Sequence, residues 1–253
     1  MTRGESRVNG DSMIRTLSLS FALAIACLAA VAFAQNAPAP PALSQAVSAT
    51  RAVKADYAFD LQMNSANQNW RAHYQPTGSP RLRLIEPTTL DKDAQGRFNT
   101  MAASSEGVRW CASDDMASAQ NVRFLREDES SATYAFQPSA EMMRRGQGGG
   151  AQGGQRAQAQ SLFQGGGASN RMQGEFTITK QNPDITQMRI FTPQAFSPMP
   201  MVRMERISFT IRCAVAPNGR RYAAETEMEM RISALGRRYD QHSVQRATNL
   251  TAP

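Results

Sequence analysis

An Asn-Gly pair at Asn218-Gly219 stands between two long runs in which apolar and polar residues alternate, and this restricts the fold more tightly than any other feature. Both central residues of a two-residue type I′ turn need positive φ, which Asn and Gly adopt at least cost. Built on that turn, Val215 lies opposite Tyr222, Cys213 opposite Ala224, Ile211 opposite Thr226, Phe209 opposite Met228 and Ile207 opposite Met230. These pairs share one mostly apolar face. The other face matches Arg212 with Glu225, Thr210 with Glu227 and Ser208 with Glu229. A slip of one residue would turn the glutamates onto the core. Alternation and turn chemistry therefore specify the same antiparallel hairpin.

Other segments repeat the period of two. Tyr57, Phe59, Leu61 and Met63 alternate with polar or small neighbours, as do Trp70, Ala72 and Tyr74, and then Leu82 and Leu84. Such strands are apolar on one face only. Turn residues separate them at 64–67 and 76–79. Two further strands are expected at 121–126, with Val122 and Phe124 inward, and at 132–137, with Ala132, Tyr134 and Phe136 inward. A last strand over 236–250 is polar on both faces, which suggests an edge or rim. Helices are expected at 42–55, with Leu43, Ala46, Val47 and Val53 in its stripe, and at 88–103, with Leu90, Ala94, Phe98 and Met101 on one face. The fold class is thus mainly β (α+β): a curved antiparallel sheet with two or three helices on its concave face.

The chain begins with arginines (Arg3, Arg7, Arg15) and an apolar run over 17–34 that ends Ala32-Phe33-Ala34. This is the layout of a cleaved secretory signal peptide over residues 1–34. A retained anchor and a lipid-modified Cys27 are the competing readings. A Pro-rich leader at 35–41 is expected to be disordered, and a single β-rich domain fills 42–250. Inside it, a Gly/Gln-rich insertion at about 144–174 lacks the apolar content to order itself.

Export changes how the remaining residues read. Residues 1–34 hold three arginines and two acids, so the rest carries 25 basic and 19 acidic side chains, a net +6. Outside a cell that charge points to solubility, or to peripheral contact with an anionic membrane surface, and not to nucleic acid. Cleavage removes Cys27 and leaves Cys111 and Cys213, an even pair that in an oxidising compartment reads as a disulfide; two buried free thiols are the alternative. The bridge would close a loop of roughly 100 residues, worth roughly 4–5 kcal/mol in the chain-entropy model.

No residue constellation nominates catalysis, so an enzyme is not expected, nor is a cofactor. His73 and His242 fall on polar strand positions without an evident partner. No CxxC or paired-His spacing suggests zinc. Glu225, Glu227 and Glu229 form an alternate-position row that could hold a cation, but a solvated hairpin face explains it more simply. Met199, Met201 and Met204 are close in sequence, and thioethers bind Cu(I), while core or pocket packing is the plainer account of the methionines.

Leader, amphipathic helix, meander, helix, further strands and a long terminal hairpin follow one another over most of 42–250. With the stretches 57–63, 174–178 to 190–191, and the hairpin at Asn218-Gly219, this order resembles the LolA-like periplasmic carriers of lipoproteins. The insertion around 146–170 is not part of that family's pattern. The resemblance implies an incomplete β-barrel whose apolar concavity, covered by helices, receives acyl chains. The residues expected on that face are Phe59, Leu61, Trp70, Tyr74, Leu84, Phe209, Ile211, Met228 and Met230. The functional expectation is a monomeric periplasmic or secreted binding protein for a lipid, a lipoprotein acyl chain or another amphiphile. The alternatives are an envelope protein-interaction or stress-sensor module on the same fold, and copper binding through Met199, Met201 and Met204.

Overall fold

The computed structural model describes residues 39–53, 56–66, 68–139, 142 and 171–252. The expected signal segment, residues 35–38 of the leader and residues 144–170 of the insertion lie outside them.

Eleven strands form one antiparallel sheet. They are β1 (Ala58–Ser65), β2 (Gln68–Tyr74), β3 (Leu82–Glu86), β4 (Gln120–Glu127), β5 (Ser131–Gln137), β6 (Gln173–Thr179), β7 (Ile185–Phe191), β8 (Phe196–Met199), β9 (Val202–Val215), β10 (Arg221–Ala234) and β11 (Arg237–Thr251). The order across the sheet is β3-β2-β1-β11-β10-β9-β7-β6-β5-β4, with β8 beside β9. The sheet is curved and unclosed, as expected, and among the described residues three helices accompany it: α1 (Pro41–Arg51), α2 (Lys92–Ala103) and α3 (Asp114–Ala117).

One face of the sheet carries two apolar clusters. The first joins Leu43, Ala46 and Val47 of α1 and Met116 of α3 to Phe136, Phe176, Ile178, Ile185, Ile190, Ile207 and Ile211. The second joins Phe98 and Met101 of α2 to Phe59, Leu61, Trp70, Ala72, Tyr74, Leu82 and Trp110. A sheet with one apolar face must bury it against another layer, and the helices supply that layer. Met142 and Met172, on either side of the insertion, are both buried in the first cluster.

Local chemistry shifts the element ends from those expected. α1 starts at Pro41, because proline suits the first helical position, so Pro41 is not part of the leader. It ends at Arg51, short of 55. α2 starts at Lys92 and not at 88, because the Asp91 carboxylate accepts from the Ala94 N–H at 2.7 Å and caps the helix there. The insertion ends before 174: Met172 is buried, and β6 begins at Gln173.

The hairpin register agrees with expectation far from the turn and departs from it close by. Ile207 pairs with Met230, Phe209 with Met228, Ile211 with Thr226 and Arg212 with Glu225. At the turn, however, Cys213 faces Ala223, Ala214 faces Tyr222 and Val215 faces Arg221. The Ala216 N–H donates to Arg220 O (2.7 Å) and the Gly219 N–H to Ala216 O (2.9 Å), which encloses three residues, not two. Of these only Gly219 has positive φ (+81°), and Pro217 takes the position that proline favours in a type I turn. This is the three-residue hairpin loop that ends in a left-handed glycine. A bulge at Ala224 restores the alternation. It sits where β10 changes partner: the Cys111 N–H donates to Arg221 O (3.0 Å) and the Ala223 N–H to Arg109 O (2.8 Å), and from Glu225 onward β11 takes that place. Val215, expected inward, is 57% exposed as a result.

Two further expectations are corrected. β11 is central, between β10 and β1, and is not an edge; the edges are β3 and β4. Its polar residues find charged partners on both neighbours, as described below. Phe124, expected inward, is 54% exposed: β4 is an edge strand with two register irregularities, and Phe124 packs edge-on against Tyr134 at 5.9 Å. Cys111 and Cys213 are joined in a disulfide with a sequence separation of 102. It ties the 109–111 segment to β9 next to the bulge.

Candidate functional site

The nine residues expected to form an apolar ligand face separate into two groups. Phe59 stacks on Tyr74 (4.9 Å between centroids), Trp70 meets the Phe98 ring of α2 edge-on (5.3 Å), and both pairs, with Leu61, are buried in the second cluster. Leu84 packs half-buried at the rim of that cluster, and Ile211 is buried in the first. These residues are consumed by the protein's own core.

Phe209, Met228 and Met230 differ. All three are half-buried and project from the same face of β9 and β10. Phe209 and Met230 border the first cluster, with Ile232, while Met228 belongs to neither. Across β10 the strip meets polar neighbours, Ser243 opposite Met228 and Gln241 opposite Met230. The result is an apolar strip with a polar margin, lying between the two helix-covered clusters.

The opposite face of the sheet is a charge ladder. Glu225 lies between Arg212 and Arg246 and bonds both, the latter at 2.7 Å. Arg231 meets Asp240 (2.6 Å), Arg206 meets Glu229 (3.0 Å) and Arg71 meets Glu86 (3.1 Å). The Arg246 hydrogen bond, aided by Arg212, holds the Glu225 carboxyl below its ordinary range, and the Arg231 hydrogen bond does the same for Asp240. Solvent screens exposed pairs of this kind, so each contributes little to stability. Their main effect is on register, because like charges face each other if a strand slips. They also account for the polarity of the β11 face that carries Asp240, His242 and Arg246.

Within this ladder Glu227, Glu229 and His242 bring one potential ligand atom each within 4.8 Å of one another. Two carboxylates and an imidazole suit a borderline divalent cation. The same carboxylates are, however, held by Arg212 (3.4 Å) and Arg206 (3.0 Å), so two cations already neutralise them. Glu229 and His242 border a cleft of about 630 Å³ between the tip of the β1–β2 hairpin (Asn64, Asn69) and the far part of β9–β11.

Each histidine has a carboxylate partner that sequence reading did not supply. His73 Nδ1 lies 2.8 Å from Asp60 Oδ1, and His242 Nε2 lies 3.1 Å from Glu227 Oε1. The His73 hydrogen bond, with one from Asn249, lowers the Asp60 carboxyl. Among the described residues no hydroxyl or thiol bonds to either ring. The methionines of the copper alternative occupy different environments. Met204 is buried in the first cluster, Met201 is 73% exposed on a turn, and the Met199 side chain lies outside the description.

A buried polar link was invisible in the sequence because its members are far apart. Asp184 accepts from the Arg221 N–H (2.8 Å) and the Ile185 N–H (2.9 Å) and pairs with Arg220 at 3.3 Å. Arg220 also donates to Ala46 O (2.9 Å) and Thr50 Oγ1 (3.1 Å), which docks α1 on the hairpin turn. Burial pushes the Asp184 carboxyl above its ordinary value despite the opposing donors.

Among the described residues no helix is long and apolar enough to cross a membrane. Comparison with protein-family models, with curated proteins and with solved structures found no match to this chain.

Proposed function

We propose that the protein is an exported, non-enzymatic binding protein that holds the apolar part of a lipid, a lipoprotein acyl chain or a similar amphiphile along Phe209, Met228, Met230 and Ile232. One observation carries the reading: Met228 lies outside both clusters, and beside it Phe209, Met230 and Ile232 are only half-buried, with a polar margin. Thioether side chains adapt to irregular apolar partners, and an acyl chain beside Ser243 and Gln241 could keep its headgroup wet. A periplasmic or secreted location agrees with the Cys111–Cys213 disulfide, since such bonds persist in oxidising compartments. The likeness of layout to lipoprotein carriers points the same way.

The test is displacement of a fluorescent fatty acid. The wild type is expected to bind it, and Met228→Glu to weaken binding at least about tenfold through a charge placed against the chain. Trp70→Phe, a change inside the filled second cluster, should leave binding unchanged. Equal binding by wild type and Met228→Glu would exclude the strip.

A further inference from the structure

We infer that the far end of β8–β11 is a membrane-docking tip, which seats Met201 and Leu235 in an anionic lipid surface. The geometry begins with strand length. The β7 strand pairs with β9 as far as Ser208, Thr192 after it still exchanges hydrogen bonds with Ile207, and β1 pairs with β11 no further than Ser243. Beyond those points residues 202–207, 229–234 and 237–242 run on together with short β8 at their side. Met204 and Ile207 within this stretch are buried in the first cluster, so it is the turns at its end that stand exposed.

Two tight turns close this stretch. Met199 pairs with Val202 around Pro200-Met201, and Ala234 pairs with Arg237 around Leu235-Gly236. The Leu235 N–H donates to Met201 O at 3.1 Å, so the turns lie side by side. Met201 has φ 64°, and Leu235 and Gly236 have φ 50° and 74°. Left-handed turn positions of this kind favour Gly, Asn or Asp. An apolar side chain there is adverse for the backbone, and both are also adverse for solvation: Met201 and Leu235 are each 73% exposed, and nearby Tyr239 is 55% exposed. Two local penalties thus coincide at two adjoining turns, which is where strain and exposed apolar surface mark function.

Charge selects the partner. Arg203, Arg237 and Arg238 surround the turns and are exposed. Arg238 pairs with Asp240, but among the described residues neither Arg203 nor Arg237 has a carboxylate partner, in contrast to the matched ladder further back. A convex apolar wedge ringed by unmatched arginines needs no shape-complementary pocket. A fluid interface with anionic headgroups accepts it. Met201, Leu235 and the arginines are not part of the strip, although Ile232 of the strip pairs with Tyr239, and the experiment reads the tip independently of the amphiphile reading.

The experiment places a reporter at the tip of the full chain with Leu235→Trp. Trp70 and Trp110 are buried, so the new indole is the one that meets solvent. With vesicles of phosphatidylcholine and phosphatidylglycerol, its emission is expected to shift to the blue and to be quenched by brominated acyl chains. Adding Arg203→Gln and Arg237→Gln should weaken the response about tenfold. Because the reporter reads its own surroundings, binding through residues 17–34 would leave it unchanged. No shift and no quenching would overturn the proposal, as would an equal response to pure phosphatidylcholine vesicles. Self-association lost in Leu235→Asn, without a vesicle response, would also overturn it and assign the tip to a second copy of the chain. Fatty-acid binding that persists without tip insertion would leave the amphiphile reading standing.

Discussion

Arg220 connects three parts of the molecule through one guanidinium, and its removal isolates a buried charge. Without it Asp184 keeps two backbone donors but loses its counter-ion, and α1 loses two acceptor contacts. Arg220→Met is expected to cost about 3 kcal/mol in chemical denaturation. The sign of its pH dependence follows from Asp184. Burial already raises that carboxyl in the folded state, so its ionised form opposes folding, and the penalty shrinks as pH falls toward the unfolded value. Loss of Arg220 raises it further, so the deficit should be largest near neutrality and narrower in mild acid. A deficit that stays constant would contradict the assignment. Gly174 is the second decisive residue. A Cβ there would meet the buried Phe136 ring on the neighbouring strand well inside van der Waals contact, and Gly174→Ala should cost about 2 kcal/mol. An unchanged melting temperature would show that the ring can move aside.

At the scale of elements, the disulfide, the bulge and the 109–111 segment form one junction. Loop closure by the bridge is worth roughly 4–5 kcal/mol in the chain-entropy model. Cys111→Ala with Cys213→Ala should lose most of that and release the Cys111 and Ala223 amides to hydrogen exchange before those of β9–β10 further out. Simultaneous exchange throughout would mean that the junction is not a separate unit. This region also shows what sequence could reveal. Alternation specified the far register of β9 and β10, because six residues on each strand repeat the same choice. Near the turn, Pro217 and Ala224 each add one residue to the count, and their effects cancel. A two-residue loop is therefore a consistent but mistaken reading from the far pairs alone. The position of β11 was illegible for another reason. Polarity on both faces argues for an edge when partners are unknown, whereas here Glu225, Glu227, Glu229 and Arg231 supply partners on one face, and Ser243 and Gln241 on the other lie beside Met228 and Met230. Likewise, nothing along the chain distinguishes Trp70, which α2 covers, from Met228, which no cluster includes. Both are apolar residues on one-sided strands, and only the long-range placement of the helices separates core from strip.

At the scale of the molecule, one sheet has a helix-covered face, a charged face and a pair of exposed turns at one end. The first holds the stability, the second the register, and between the covered clusters lies the apolar strip proposed to bind an amphiphile. The most direct test of that claim is native mass spectrometry of the protein as recovered from the compartment where it accumulates. The account predicts a bound species of lipid mass that organic extraction removes and that Met228→Glu, folded with its disulfide intact, lacks. Wild type that carries no such species, and takes none up when fatty acid is added, would contradict it.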